Sequence, residues 1–287
     1  MKNVNELQSL IQKATYLRNN GREKEAIELY KEAMHKYQQM GEISKAAHCA
    51  HMIGVCFKIL KQENEALDWF EKALDLYGKT GNNIEIGNIQ RDVGLMYEYI
   101  NQYEEAQKWL TQSETTLEKT EDKNAYGITL AKIGMVLTKK GAFTQAEEYL
   151  YKGLTEIRSF ENRSWFMEMT TLWHLSALWF AQEKYQESLS FAREALGILY
   201  EEEQQGNQLR RIGQLHGMLA WCYLELGAYT TANEQILRAI KAWKGIDNEA
   251  KKVVFDELRV DDFLQELEDQ NGDLGKQARN IYEKAKN

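Results

Sequence analysis

The chain has 287 residues, of which 43% are hydrophobic and 28% charged, with a net charge of −8 and no proline. That apolar fraction can bury a long core, which argues against disorder, and a dispersed acidic excess argues against general affinity for nucleic acid or anionic membrane. Proline breaks helix interiors, and average usage of roughly 5% would have supplied about fourteen, so its absence points to an almost wholly helical protein.

A spacing pattern recurs about every forty residues and divides the chain at 1–40, 41–80, 81–120, 121–160, 161–204, 205–246 and 247–287. In the first segment Ala14 stands on one helix and Asn20-Gly21-Arg22 turns the chain. Ala26, Tyr30 and Ala33 then share a face of the next helix. The second segment follows Met40-Gly41-Glu42 and repeats the pattern with Gly54, then Ala66, Phe70 and Ala73. The third follows Thr80-Gly81-Asn82 and carries Gly94, then Ala106, Leu110 and Ser113. Gly134, the turn Lys140-Gly141-Ala142, and Ala146, Leu150 and Gly153 make the fourth; Ser176, Ser188, Ala192 and Ala195 make the fifth. The sixth has Ala220, the turn Leu226-Gly227-Ala228, and Ala232, Ile236 and Ala239, while the seventh shows Ala278, Tyr282 and Ala285 behind a weak first helix. Spacings of four and three place these residues on one helical face, where small side chains let two backbones approach and the large one fills the gap between them.

The stretch from Gly54 through Phe57, Ala66, Phe70 and Ala73 resembles a tetratricopeptide repeat, as do Gly94, Tyr97 and Ala106. The resemblance extends over the whole chain as about seven antiparallel helix pairs and implies an all-α, right-handed superhelical solenoid forming a single unit over 1–287. The chain departs from the family pattern in lacking the first-helix tryptophan (Ala50, Gln90, Leu130, Leu172 and His216 stand there) and the closing proline. The long repeat is similar to those of kinesin light chains, of Pins and of bacterial peptide receptors of the Rap and PlcR type. Those receptors carry an N-terminal output module, whereas here the repeats are expected to start at once, so the output of those receptors does not carry over.

In this family the first helices line the concave face, where ligands lie. Counted from the small position of each first helix, the resemblance puts groove residues six and three before it and one, four and five after it. These positions are His48, His51, Val55, Lys58 and Ile59 in the second segment, and Asn88, Arg91, Leu95, Glu98 and Tyr99 in the third. A mixed basic, amide and aromatic lining suits a peptide, with Lys58 and Arg91 binding carboxylates and Tyr99 covering apolar side chains; simple solvation is the alternative. The fifth segment is apolar there, with Trp173, Ala177 and Phe180, and Trp221 follows in the sixth; each tryptophan is either pocket or core. The two-carboxylate clamp of heat-shock-chaperone-binding repeats is missing, since Ile11, Thr15 and Met52 occupy its positions.

No phosphate loop, HExxH pair or nucleophile elbow appears, and no enzyme activity or cofactor is expected. His48, Cys49 and His51 cluster without a further ligand, so a metal is not expected either. Cys49 and Cys56, about 10.5 Å apart on one helix at ~1.5 Å per residue, are too distant for a disulfide. No apolar run approaches the ~20 residues that span a bilayer and no signal-peptide core is visible, so a cytoplasmic protein is expected. The sequence therefore describes a regulatory or adaptor module that captures another protein or a peptide in its groove, with neither nucleic acid nor membrane as partner. The competing reading is a structural scaffold that binds through its convex face or C-terminal end.

Overall fold

The computed structural model describes residues 2–161, 163–201, 209–243 and 259–286, and all regular structure among them is helical. Fourteen described helices run as α1 (Lys2–Asn19), α2 (Glu23–Gln39), α3 (Ile43–Ile59), α4 (Glu63–Gly78), α5 (Asn83–Tyr99), α6 (Tyr103–Glu118) and α7 (Lys123–Lys139). They continue as α8 (Phe143–Ser159), α9 (Trp165–Ala181), α10 (Tyr185–Glu201), α11 (Leu209–Glu225), α12 (Tyr229–Trp243), α13 (Val260–Gln270) and α14 (Gly272–Lys286). The expected segment boundaries at 204 and 246 lie outside the described residues. No described helix is long and apolar enough to cross a membrane. The chain divides into two compact units, residues 1–136 and 137–287, with the division falling inside the sequence of α7.

The second helices of the first unit start with carboxylates that favour a helix N-terminus: Glu23 and Glu25 in α2, Glu63 and Glu65 in α4, Glu104 and Glu105 in α6. Between first and second helix the chain closes with a left-handed residue, followed by an amide that donates back to a carbonyl five residues earlier. The left-handed residue is Gly21, Gly141 or Gly227 in three hairpins, but Lys61, Asn101 and Glu183 in three others, at φ 57°, 61° and 60°. The closing bonds match throughout, as in Arg22 to Leu17 (3.0 Å), Gln62 to Phe57 (3.0 Å) and Lys184 to Trp179 (2.9 Å).

In the first unit, α1 to α6 pack each on the next. The buried face is the one on which the small residues recur: Ala14, Ala26, Tyr30, Ala33, Ala66, Phe70, Ala73, Ala106 and Leu110 are all inaccessible. A Cβ added at Gly54 would lie 2.6 Å from the Phe70 ring, and one at Gly94 would lie 2.8 Å from Leu110 Cγ and 3.1 Å from the Ala106 carbonyl oxygen. These glycines are contact points between backbone and side chain, not turn residues. Ser113 takes the small position of α6 and, being polar, donates to the Gly87 carbonyl (2.7 Å).

In the second unit, α8 to α12 likewise pack in succession, and α14 lies on both α12 and α13. Ser176 and Ser188 occupy the facing small positions of α9 and α10 and satisfy each other at 3.0 Å, while Ser188 also donates to the Ser176 carbonyl. Trp243 is wholly buried beside Gly213, where any Cβ would overlap the indole, and its Nε1 donates to the Arg210 carbonyl at 3.4 Å.

A left-handed conformation costs a side-chain-bearing residue roughly 1–2 kcal/mol, part of which glycine returns through its freer unfolded state. Lys61→Gly and Glu183→Gly should each stabilise the protein by about 0.5–1 kcal/mol in urea unfolding, and Gly21→Ala should do the opposite. Destabilisation by both glycine substitutions would show that these turns carry no strain.

Candidate functional site

On the first unit a cleft of about 540 Å³ opens between α1, α3 and the start of α5. Its lining combines Gln8, Ile11 and Gln12 from α1, Ser44, Lys45, His48 and Cys49 from α3, Tyr37 and Tyr77 from the ends of α2 and α4, and Asn82. Amide and hydroxyl side chains that both donate and accept are thus set around apolar and aromatic surface. Lys45 is paired with Glu42 at 3.1 Å, and its ammonium lies 5.7 Å from the Tyr37 ring centre. His48 is exposed to water, yet it sits in a concave surface with many protein atoms around it. This partial desolvation, reinforced by His51, holds its pKa below the ordinary histidine value, so the ring is neutral at pH 7. Burial pushes the Cys49 thiol up to about 12 and the Cys56 and Cys222 thiols up to about 11. All three cysteines are buried and free.

The basic residues expected to meet a ligand are otherwise engaged. His51 is buried, with Nε2 2.8 Å from Asp92 Oδ2, and Lys58 Nζ lies 3.2 Å from Asp92 Oδ1. The His51 ring also meets Phe70 edge-on at 5.8 Å. Burial alone would raise the Asp92 pKa, but Lys58, the hydrogen bond and charge of His51, and Arg91 outweigh it and hold the carboxyl well below the usual carboxylate range. Arg91 is half-buried and turned toward α7, where it donates to the Ala125 carbonyl (3.4 Å) and Thr129 Oγ1 (3.5 Å). Without a ligand, α3, α5 and α7 use Lys58 and Arg91 on one another. One repeat earlier the same register gives Arg18 donating to Met52 Sδ at 2.9 Å.

Asn88 and Glu98 on α5 are half-buried, and Tyr99 is 52% exposed beside the likewise exposed Ile59. In the second unit Trp173 and Phe180 are half-buried on α9; Trp173 stacks on His174 and Phe180 meets Tyr185 edge-on at 5.4 Å. Trp221 packs edge-on against the buried Phe263 at 5.2 Å and so belongs with the core. Among the described residues no group of three His, Cys, Asp or Glu side chains is placed to hold a metal. Gln8, Gln12 and Ser44 were missed, although extending the groove register to Ala14 finds Gln8 directly.

With this geometry in place, comparison with known proteins becomes informative. The family model described as tetratricopeptide repeat matches residues 5–79 and 46–119. Together these matches make residues 5–119 similar to tetratricopeptide repeats. No curated protein matches the chain in sequence. Among solved structures, the apo quorum sensor NprR from B. thuringiensis aligns at TM-score 0.71 and 16% identity, over 98% of this chain and 75% of that one. A Rap protein complexed with Competence and Sporulation Factor aligns at 0.61 and 15%, covering 98% of each chain. BtubC (BKLC) from P. vanneervenii aligns at 0.63 and 12%, over 82% and 90%. At these identities the likeness is one of fold: the chain has the architecture of tetratricopeptide-like helical solenoids.

Asp92→Asn removes the carboxylate that pairs with Lys58 and hydrogen-bonds His51, and it should destabilise the protein at pH 7 by about 2 kcal/mol, below the 3–5 of a fully buried pair because Asp92 is partly exposed. Its folded pKa is depressed, so the carboxylate stabilises the fold above its unfolded pKa of roughly 3.9, and that contribution is lost as pH falls through the folded value. Urea unfolding at pH 7, 5 and 3 should show the gap between wild type and variant closing with acidity. A gap independent of pH would mean that the carboxylate charge carries none of it.

Proposed function

We propose that the protein is a binding module that captures a peptide or partner segment on the faces of its first helices, acting as a regulator or adaptor. The cleft of about 540 Å³ on the first unit carries this reading. Gln8, Gln12, Ser44 and Asn82 offer donors and acceptors of the kind an extended backbone needs, and Ile11, Tyr37 and Tyr77 offer apolar surface to its side chains. Exposed Tyr99 and Ile59 extend the apolar contribution along α5 and α3. The Rap protein solved with Competence and Sporulation Factor shares this fold, which supports a peptide or protein as the partner class. The chemistry required is recognition alone. The neutral imidazole of His48 and the protonated Cys49 thiol suit a hydrogen-bonding wall rather than a nucleophilic centre.

The test is affinity capture from the native host, peptide-array mapping of the retained protein, and calorimetric titration of the mapped peptide. A neutral hydrogen bond contributes about 0.5–1.5 kcal/mol, so Gln12→Ala, His48→Ala and Asn88→Ala should each weaken binding by up to about tenfold. Glu71→Ala and Lys108→Ala, at exposed second-helix positions, should leave it unchanged. Loss confined to the second-helix variants would move the function to a scaffold that binds through its convex face.

A further inference from the structure

The second unit holds a half-buried cation that meets no carboxylate among the described residues. Arg211 lies near the start of α11 with its guanidinium 4.3 Å from the centre of the Phe166 ring, at the start of α9. Several other cations of the protein are matched by carboxylates. Lys45 has Glu42, Lys58 has Asp92, Arg158 has Glu168 and Glu194, and Arg279 has Glu268. Arg211 pairs with no carboxylate among the described residues, and the charge that acts on it is that of another cation, Arg210. Burial first, and Arg210 second, hold its pKa below the usual arginine value.

Register gives the position a meaning. Arg211 stands nine residues before Ala220, the small position of α11, and Phe166 ten before Ser176, the small position of α9. In α3 the residues nine and ten before Gly54 are Lys45 and Ser44, and both line the cleft of the first unit. A guanidinium stacked on a ring spends its face on the aromatic and keeps its N–H edge in the plane, the geometry that grips a carboxylate by two parallel bonds.

We propose that Arg211, stacked on Phe166 and followed in register by the aromatic face of α9, is an anion subsite that takes a carboxylate of a bound peptide whose adjoining residue is apolar. The carboxylate is favoured over a phosphate because a single guanidinium fork beside the Phe166 ring matches a singly charged planar group next to apolar surface. This assignment rests on the peptide-binding reading and names one chemical feature of the ligand.

The test uses the full chain and small probes, so it is independent of the captured partner. N-acetylphenylalanine carries a carboxylate beside an apolar ring, N-acetylphenylalaninamide lacks the charge, and inorganic phosphate offers charge alone. Arginine Nε–Hε resonances are followed during titration with each, and Arg211→Gln identifies the Arg211 signal by its disappearance. N-acetylphenylalanine should shift that signal saturably and at least tenfold more tightly than the amide or phosphate, leaving the Arg279 signal in place. Arg211→Met, which keeps the apolar stem on Phe166 and deletes the uncompensated charge, should hold or raise the melting temperature. An unmoved Arg211 signal, equal binding of the amide, tighter binding of phosphate, or a lower melting temperature for Arg211→Met would each overturn the assignment. A convex-face result in the partner titration would instead overturn peptide capture while leaving the probe result standing.

Discussion

Backbone contact at a few small residues governs this molecule. Where Gly54 meets Phe70, Gly94 meets Leu110 and Gly213 meets Trp243, one helix has no side chain at all and its partner fills the space. Such a contact holds two helices closer than ordinary ridge-and-groove packing allows, and it sets the register of each hairpin. Once that register is set, the opposite side of every first helix is left uncovered by its own partner. The candidate cleft and the exposed Tyr99 and Ile59 both lie on that side, so the binding surface is a by-product of the packing that forms the core.

Charge on that side is divided between holding the fold and meeting a partner. Asp92 draws His51 and Lys58 across from α3, and Arg91 reaches from α5 to α7, so three consecutive first helices are tied by polar contacts in addition to apolar packing. Half-buried charges of this kind are costly alone and near neutral when matched, which makes them better at fixing geometry than at adding stability. The same principle bears on Arg211, which among the described residues meets an aromatic ring and a second arginine but no carboxylate.

Much of the fold was legible because its determinants are periodic. Small residues at Ala26, Ala66, Ala106 and Ala146, and turns at Gly21, Gly141 and Gly227, recur at spacings that only helical hairpins explain. The turns at Lys61, Asn101 and Glu183 were hidden because a left-handed backbone can be imposed on residues whose type does not announce it. Candidate site residues were harder. The register put His51, Lys58 and Arg91 on first helices, but the first two are held by Asp92, two residues before Gly94 and off the assumed groove rows, and Arg91 by Ala125 and Thr129 of α7. Tyr37 and Tyr77 reach the cleft from second helices, a contribution that counting along first helices cannot reveal. Trp221 was left open between pocket and core for a similar reason, since its neighbour Phe263 is remote in sequence.

Burial of the three thiols has a practical corollary. With pKa values of about 11 to 12, Cys49, Cys56 and Cys222 expose, at neutral pH, on the order of one thiolate in ten thousand or fewer, and the thiolate is the form that reacts with maleimides and peroxide. A cysteine introduced at a water-facing position such as Lys108 or Glu71 would therefore label selectively against an intact native background. Pairing one such label with a second at an exposed residue of the other unit, such as Glu187, would let fluorescence energy transfer follow the spacing of the two compact units in solution without first stripping the chain of its own sulfur.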